Sequence, residues 1–398
     1  LLAWMAVGCG RQQEAGTPEY EARDSAGVEI VESGPPLLPE SGAWRVDPEP
    51  VLQIGEAQGE MPYLFSWVMD AVRAPDGRIA VLEGGDLEIR VFGPGGVHQV
   101  TFAGPGDGPR ELEAFPHMTL APPDTLVVWD QGHARLSWFD LTGALLRQES
   151  FPQVLQSLSI VPRGAGWRVW RDGALLATRP VRLGRTKELH DRGVELSLVD
   201  DAGGTSRSFG AFPSGQTYNH PMGFGFSAWF SLAATYAVGP RPLRVAVSSP
   251  DVWEIRFFSP DGQLRRILRA PIPRVPITEG MHDARRAHVQ DIALQIGLTP
   301  ADARGIDAAM PVPDSLPAIA TMSWDRADRL WVGRRQTDPR TVEEYDVFDT
   351  DGRWITTVRV PSELGNIRDI GDDYLLATWL DELDVTYLRL YRLEKEGP

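Results

Sequence analysis

The sequence predicts an all-β chain: a six-bladed β-propeller of four-stranded antiparallel blades, its last blade closed by an N-terminal strand, with a small helical insertion. Three observations predict it. An alternating strand–turn–strand unit recurs along the chain, a second hairpin precedes each copy, and the final copy runs out of chain one strand short.

The recurring unit occupies residues 87–96, 134–143, 194–203, 253–262 and 343–352, with an unfinished copy at 386–392. In each, apolar and polar residues alternate with period two, which buries one face of a strand. Every copy but the last closes on a glycine-containing turn, where positive φ costs little. The preceding hairpins span 71–81, turning at Asp76-Gly77, and 119–129, turning near Pro123-Asp124. The others span 159–170 (near Arg163-Gly164), 235–247 (near Gly239-Pro240), 321–332 (at 325–328) and 369–378 (at Gly371-Asp372). Two hairpins make a four-stranded blade, so six pairs make six blades. Residues 44–54 have strand composition but no hairpin beside them. They are expected to supply the missing outer strand of the last blade, closing the ring and removing an exposed edge.

Uneven spacing marks insertions. One lies around 174–193. A second, at 210–230, is rich in aromatics and glycine: Phe212, Tyr218, Phe224, Phe226, Trp229 and Phe230. The largest, 272–316, holds a predicted helix at 279–296 with Met281, Ala284, His288, Ile292 and Ile296 on one face. Gly297 suits its C-terminal stop. Thr299-Pro300-Ala301-Asp302 then starts a second, short helix. Insertions of this length serve either as packed decoration or as lids and contact elements.

Composition supports a globular β-rich protein. Hydrophobic residues are 42% and charged residues 24%, and 40 glycines with 33 prolines demand many turns. The net charge of −16 argues against a nucleic-acid partner, because an acidic surface repels phosphate backbones. Lys187 and Lys395 are the only lysines. The single cysteine, Cys9, excludes an intramolecular disulfide.

At the N-terminus, Ala6-Val7-Gly8-Cys9 follows a short apolar run and resembles a bacterial lipobox, whose cysteine is lipidated. Residues 1–9 then read as a truncated lipoprotein signal peptide. Residues 10–42, rich in Gly, Pro, Glu and Ser, read as a flexible tether, and 43–398 as the propeller. Gly10 is not the Asp that retains such proteins in the inner membrane. The expected location is therefore the bacterial cell envelope, lipid-anchored at the outer membrane and facing the periplasm or the exterior.

The repeats resemble those of NHL-type and related six-bladed propellers, a group common among bacterial lipoproteins. The resemblance covers about residues 44–398. Gly104-Pro105-Gly106-Asp107-Gly108-Pro109-Arg110-Glu111-Leu112 looks like that group's Gly-rich link after an outer strand, and residues 55–65 are a looser copy. As a phosphate cradle the run lacks a following Lys-Ser/Thr and sits between strands.

No catalytic motif stands out: Gly-x-Ser-x-Gly, HExxH, a P-loop and an EF-hand loop are all missing. His98, His117, His133, His190, His220, His282 and His288 are scattered. Two acidic groups, Asp369/Asp372/Asp373 and Asp381/Glu382/Asp384, lack calcium-loop spacing and read as solvated turn acids.

Propellers bind or react at their central channel, which the innermost strands line. Aligning those strands by their turns places Ala71, Thr119, Ser159, Thr235, Thr321 and Asp369 in register. Met69, His117 and Ser157 lie two residues earlier on the same face. The channel-lining candidates are therefore His117, Thr119, Ser157, Ser159, Thr235, Thr321 and Asp369, with His117 and Asp369 as titratable members. Their neighbours Val72, Leu120, Ile160, Met322 and Ile370 should pack between blades. No catalytic residue, metal ligand or cofactor is assigned. The expected protein is a monomeric, envelope-anchored binding or scaffold propeller for a protein, peptide or glycan, touching the membrane only through its lipid. The alternative is a metal-dependent hydrolase or lactonase resembling the gluconolactonase-type enzymes. Those hold a divalent metal with Glu, Asn and Asp, whereas the only asparagines here are Asn219 and Asn366.

Overall fold

The computed structural model describes residues 20–151, 166–185, 189–199, 206–334 and 343–395. Four short N-terminal strands come first: β1 (Glu21–Ser25), β2 (Val28–Glu32), β3 (Arg45–Val46) and β4 (Leu52–Ile54). A four-stranded antiparallel sheet follows, of β5 (Val68–Arg73), β6 (Ile79–Glu83), β7 (Glu88–Phe92) and β8 (His98–Ala103). The next has the same plan: β9 (His117–Ala121), β10 (Thr125–Asp130), β11 (Arg135–Phe139) and β12 (Leu145–Ser150). A five-stranded sheet contains β13 (Gly166–Val169), β14 (Leu175–Arg185), β15 (Leu189–Val199), β16 (Ser206–Asn219) and β17 (Gly225–Ser227). Then come β18 (Tyr236–Val238), β19 (Val245–Ser248), β20 (Glu254–Phe258) and β21 (Leu264–Arg269), followed by helices α1 (Glu279–Gln295) and α2 (Pro300–Ala309). The chain ends with β22 (Ile319–Trp324), β23 (Leu330–Arg334), β24 (Glu344–Phe348) and β25 (Trp354–Arg359), then β26 (Asn366–Ile370), β27 (Tyr374–Leu380) and β28 (Thr386–Glu394).

Strands β3 and β4 explain how the ends meet. β4 pairs antiparallel with β28, Leu52, Gln53 and Ile54 opposite Leu390, Arg389 and Leu388. β3 bridges β25 and β28, so the two final strand runs join into one nine-stranded sheet. The segment 44–54 therefore lies against the C-terminal strand.

Hydrophobic clusters sit between successive strand runs and form a closed cycle. Leu82, Val91, Leu126 and Val128 join the first run to the second, and Trp129, Leu136, Leu175 and Ala177 the second to the third. Leu176 and Leu196 pack with Val245 and Val247, and Ile255 and Phe257 with Val332 and Phe348. Trp331 and Val347 meet Leu375 and Tyr391, and Leu376 and Leu388 return to Val81 and Phe92. Strands buried on both faces by neighbouring sheets, arranged in a cycle, define a β-propeller.

The repeat has a local cause. Phe92, Phe139, Phe258 and Phe348 each sit at a β-bulge just before the turn of their hairpin. In the second and fifth runs the turn is pinned by a carboxylate. Asp140 Oδ1 accepts from Thr142 and Ala144 N–H, and Asp349 Oδ1 from Asp351 and Arg353 N–H. Gly143 and Gly352 then take φ of 84° and 86°, which only glycine adopts at no steric cost.

Three expectations need correction. Residues 21–32, assigned to the tether, form a β-hairpin whose β2 runs parallel to β21 and makes that sheet six-stranded. Val31, fully buried against Leu268, gives the physical reason: it adds an apolar contact to the core beside β21. Of the hairpin expected at 159–170, residues 159–165 lie outside the described residues, while Gly166–Val169 forms β13 and pairs with β14 across a turn at Trp170–Ala174, with Gly173 at φ 85°. Helix α1 buries Met281, Arg285, Val289 and Ala293, not the face with Ala284 and His288. Arg285 is buried because its guanidinium pairs with Asp307 at 2.6 Å and lies 5.9 Å over the Phe230 ring.

The insertions form one body. The long strands β15 and β16 extend their sheet. Tyr218, Phe226 and Ala228 pack against Val289, Ala293, Ala303 and Ile306 of the two helices. Both helices start at a threonine cap, Thr278 and Thr299.

Candidate functional site

A cavity of about 270 Å³ opens at the middle of the cycle. Its wall draws on β5 (Asp70, Val72), β9 (His117, Met118, Thr119), β13 with its turn (Val169, Trp170, Arg171), β18, β22 and β26 (Arg368, Asp369). It is the propeller's channel. Of the sequence candidates, His117, Thr119 and Asp369 line it. Ser157 and Ser159, and Cys9 at the N-terminus, lie outside the described residues.

Thr235 and Thr321 are not among the lining residues; Tyr236, Ala237, Met322 and Ser323 line it instead. Thr235 Oγ1 turns away and donates to the Ala320 carbonyl. Met69 is buried between sheets, and Asp70 takes its place at the wall. For Met69 and Asp70 the cause is local: a β-bulge falls between Val68 and Asp70. A one-residue slip exchanges the two faces of a strand, and no period-two reading anticipates it. Val72 and Met322 serve both places, packed between sheets and touching the cavity.

The floor is a set of arginines that sequence reasoning missed. Arg326, in the turn after β22, grips Asp369 with two bonds, Nε to Oδ1 at 3.0 Å and Nη2 to Oδ2 at 2.7 Å. It also reaches the carbonyls of Arg73 and Leu120 at 3.4 and 3.5 Å. One side chain therefore ties four strand runs across the channel. Asp369 additionally accepts from Arg73 N–H at 2.9 Å and Tyr374 O–H at 2.8 Å. Far from being a solvated turn acid, it has a side chain only 10% exposed. Arg171 crosses from another direction, donating to the Asp325 carbonyl at 2.9 Å and to Asp328 at 3.1 Å, its guanidinium 4.6 Å from the Trp170 ring centre.

Electrostatics follow from this packing. Burial opposes the Arg326 charge, but the Asp369 carboxylate outweighs it and raises the arginine's pKa. Burial also holds the Tyr374 hydroxyl neutral, with Asp369 adding to the rise. Arg171 is lowered by burial first, against the nearby Asp328.

On the wall, Asp70 Oδ2 accepts from Met118 N–H at 3.0 Å and meets His117 Nδ1 at 3.2 Å. Arg368 donates to the Met69 carbonyl at 2.9 Å. Both carboxylates of the cavity are thus held by internal donors. Among the described residues no group of three or more His, Cys, Asp or Glu is arranged to hold a metal ion.

The Gly-rich connector 104–112 is turned inward. Gly106 N–H donates to the Leu112 carbonyl and Gly108 N–H to Glu111, so these amides do not face a phosphate. Leu112 anchors the link between the first two sheets, 1% exposed. Beside it, His133 is held by the buried Asp130 and by Asp107. Burial resists its protonation, yet the two carboxylates prevail and its pKa is raised. A raised folded-state pKa means a stabilising contribution that is complete below the unfolded value of about 6.5 and disappears as pH climbs through the folded value. Urea unfolding between pH 5.5 and 8.5 should show the parent losing stability relative to His133→Gln as pH rises. The opposite slope would reject this assignment.

Comparison with known proteins adds the following. No family model and no curated protein matches the chain. Among solved structures, a Bacteroides fragilis protein described as an exported protein is 13% identical, with 92% of this chain and 100% of that one covered and a TM-score of 0.44. A streptogramin B lyase is 9% identical over 88% of this chain and 98% of that one, TM-score 0.36. The calcium-binding protein regucalcin from Agrobacterium tumefaciens is 12% identical over 92% and 97%, TM-score 0.34. Likenesses this distant transfer no residue and no activity. No helix among the described residues is long and apolar enough to cross a membrane.

Proposed function

We propose that the chain is a six-bladed β-propeller lipoprotein of the bacterial envelope, tethered through Cys9, that binds a ligand at the mouth of its channel. Counting the nine-stranded sheet as two blades bridged by β3 gives six, with β4 as the outer strand of the last. The tether is the shorter stretch before Tyr20. The observation that carries the binding reading is the cavity itself, lined by all six strand runs and by Arg326 and Arg171. Its walls offer an imidazole, hydroxyls, guanidinium groups and the indoles of Trp170 and Trp324, a polar cavity with aromatic surfaces beside it. Arg–carboxylate and backbone bonds lock those groups before any ligand arrives, which lowers the ordering cost of binding.

Two measurements test this reading. Purified protein analysed for metals should contain no stoichiometric divalent ion; a chelator-sensitive ion bound one per chain would favour the hydrolase alternative. In a cell producing the lipidated protein, Cys9→Ser should move it from the membrane to the soluble fraction. Retention at the membrane would remove the lipid anchor from the account.

A further inference from the structure

We propose that a second pocket, on the extended part of the β14–β15–β16 sheet, binds a sugar acid, with Arg182 and Arg192 holding its carboxylate. The inference goes beyond the channel reading and does not depend on it.

The pocket encloses about 590 Å³, room for a sugar of one or two rings. Its central feature is a like-charge pair. Arg182 on β14 and Arg192 on β15 are directly opposed across the ladder, and both line the pocket. Cross-strand like charges repel. Among the described residues neither arginine has an ion pair, and Arg192 makes only a 3.5 Å bond to the Ser214 carbonyl. By contrast, Arg179, Arg244, Arg266, Arg269 and Arg334 each have an acidic partner. Two adjacent guanidinium forks without a counter-ion suit a planar carboxylate.

The rest of the lining selects the ligand class. Thr217 Oγ1 is buried without a hydrogen-bond partner, a state that folded proteins avoid unless something else fills the vacancy. Asn219 lies beside it on the same strand. Asp191 also lines the pocket, with Oδ1 taking the Gln216 amide at 2.7 Å. A carboxylate there accepts sugar hydroxyls. Two cations, several hydroxyl partners and a volume far beyond a bare anion describe a carboxylated sugar. Tyr236 borders both this pocket and the channel cavity, so the two are neighbours.

The test is calorimetric titration of the full chain with digalacturonate, against neutral galactobiose and inorganic phosphate. Digalacturonate should bind at least ~10-fold more tightly than galactobiose, as expected for a charge-assisted bidentate contact, and phosphate should not displace it. Arg192→Gln and Arg182→Gln should each weaken it ~10-fold or more. Because each removes a like-charge repulsion, both ligand-free variants should melt no lower than the parent, which separates lost binding from lost folding. Equal binding of galactobiose, displacement by phosphate, or an unchanged affinity in both variants would overturn the proposal. Loss of binding in Arg368→Gln but not in Arg192→Gln would place the sugar in the channel, rejecting this pocket and leaving the channel reading intact.

Discussion

Asp369→Ala is expected to cost about 3–5 kcal/mol of folding stability, the range for breaking one side of a buried ion pair. Its carboxylate is the shared acceptor for Arg326, for Arg73 N–H and for Tyr374 O–H. Removing it leaves a largely buried guanidinium, with a side chain 22% exposed, facing carbonyls alone. Because Arg326 also touches the carbonyls of Arg73 and Leu120, the loss spreads to the sheets holding them. The double variant Asp369→Leu/Arg326→Met should recover most of the loss, since paired apolar replacement removes the unpaired charge. Guanidinium unfolding followed by tryptophan fluorescence measures both. A single-variant loss below ~1 kcal/mol, the scale of an exposed pair, would show that the latch across the channel contributes little.

Ile54→Asp should be more damaging still. Ile54 is 2% exposed, lies opposite Leu388 and packs with Phe65, Phe92 and Leu376. Truncating such a side chain alone costs about 2–5 kcal/mol, and a carboxylate without a partner adds its desolvation. Detaching β4 would also bare the edge of β28, a template for pairing with other chains. The expected phenotype is a large fall in melting temperature with aggregation, whereas Gln53→Ala, at an exposed position of the same strand, should change little. Equal behaviour of the two variants would mean that β4 does not hold the ring.

The sequence carried the repeat because the same device recurs: an alternating strand, a buried phenylalanine at a bulge and a glycine turn. That pattern also located β4, which had strand character and no local partner. It failed where the signal was of another kind. The third unit's first hairpin was misplaced because Arg163-Gly164 resembles a turn as much as Asp172-Gly173 does. The tether was overextended because Val28–Glu32 is a single short alternating run, lost in a stretch of turn formers. His117, Thr119 and Asp369, expected in the channel from the alignment of turns, line the cavity. Met69 was misread and Asp70 missed because the bulge between Val68 and Asp70 shifts one face onto the other. Arg326 and Arg171 sit in turns, where periodicity has nothing to say about direction, and long side chains reach the channel from outside the strands that line it.

Closure of the ring by its own N-terminal strand is tested most directly by a disulfide between Gln53→Cys and Arg389→Cys, directly opposed residues 336 apart in sequence, in a Cys9→Ser background. Mild oxidation should yield an intramolecular bond in the folded monomer and raise its melting temperature. A chain whose two cysteines stay reduced, or cross-link only between molecules, would contradict the account.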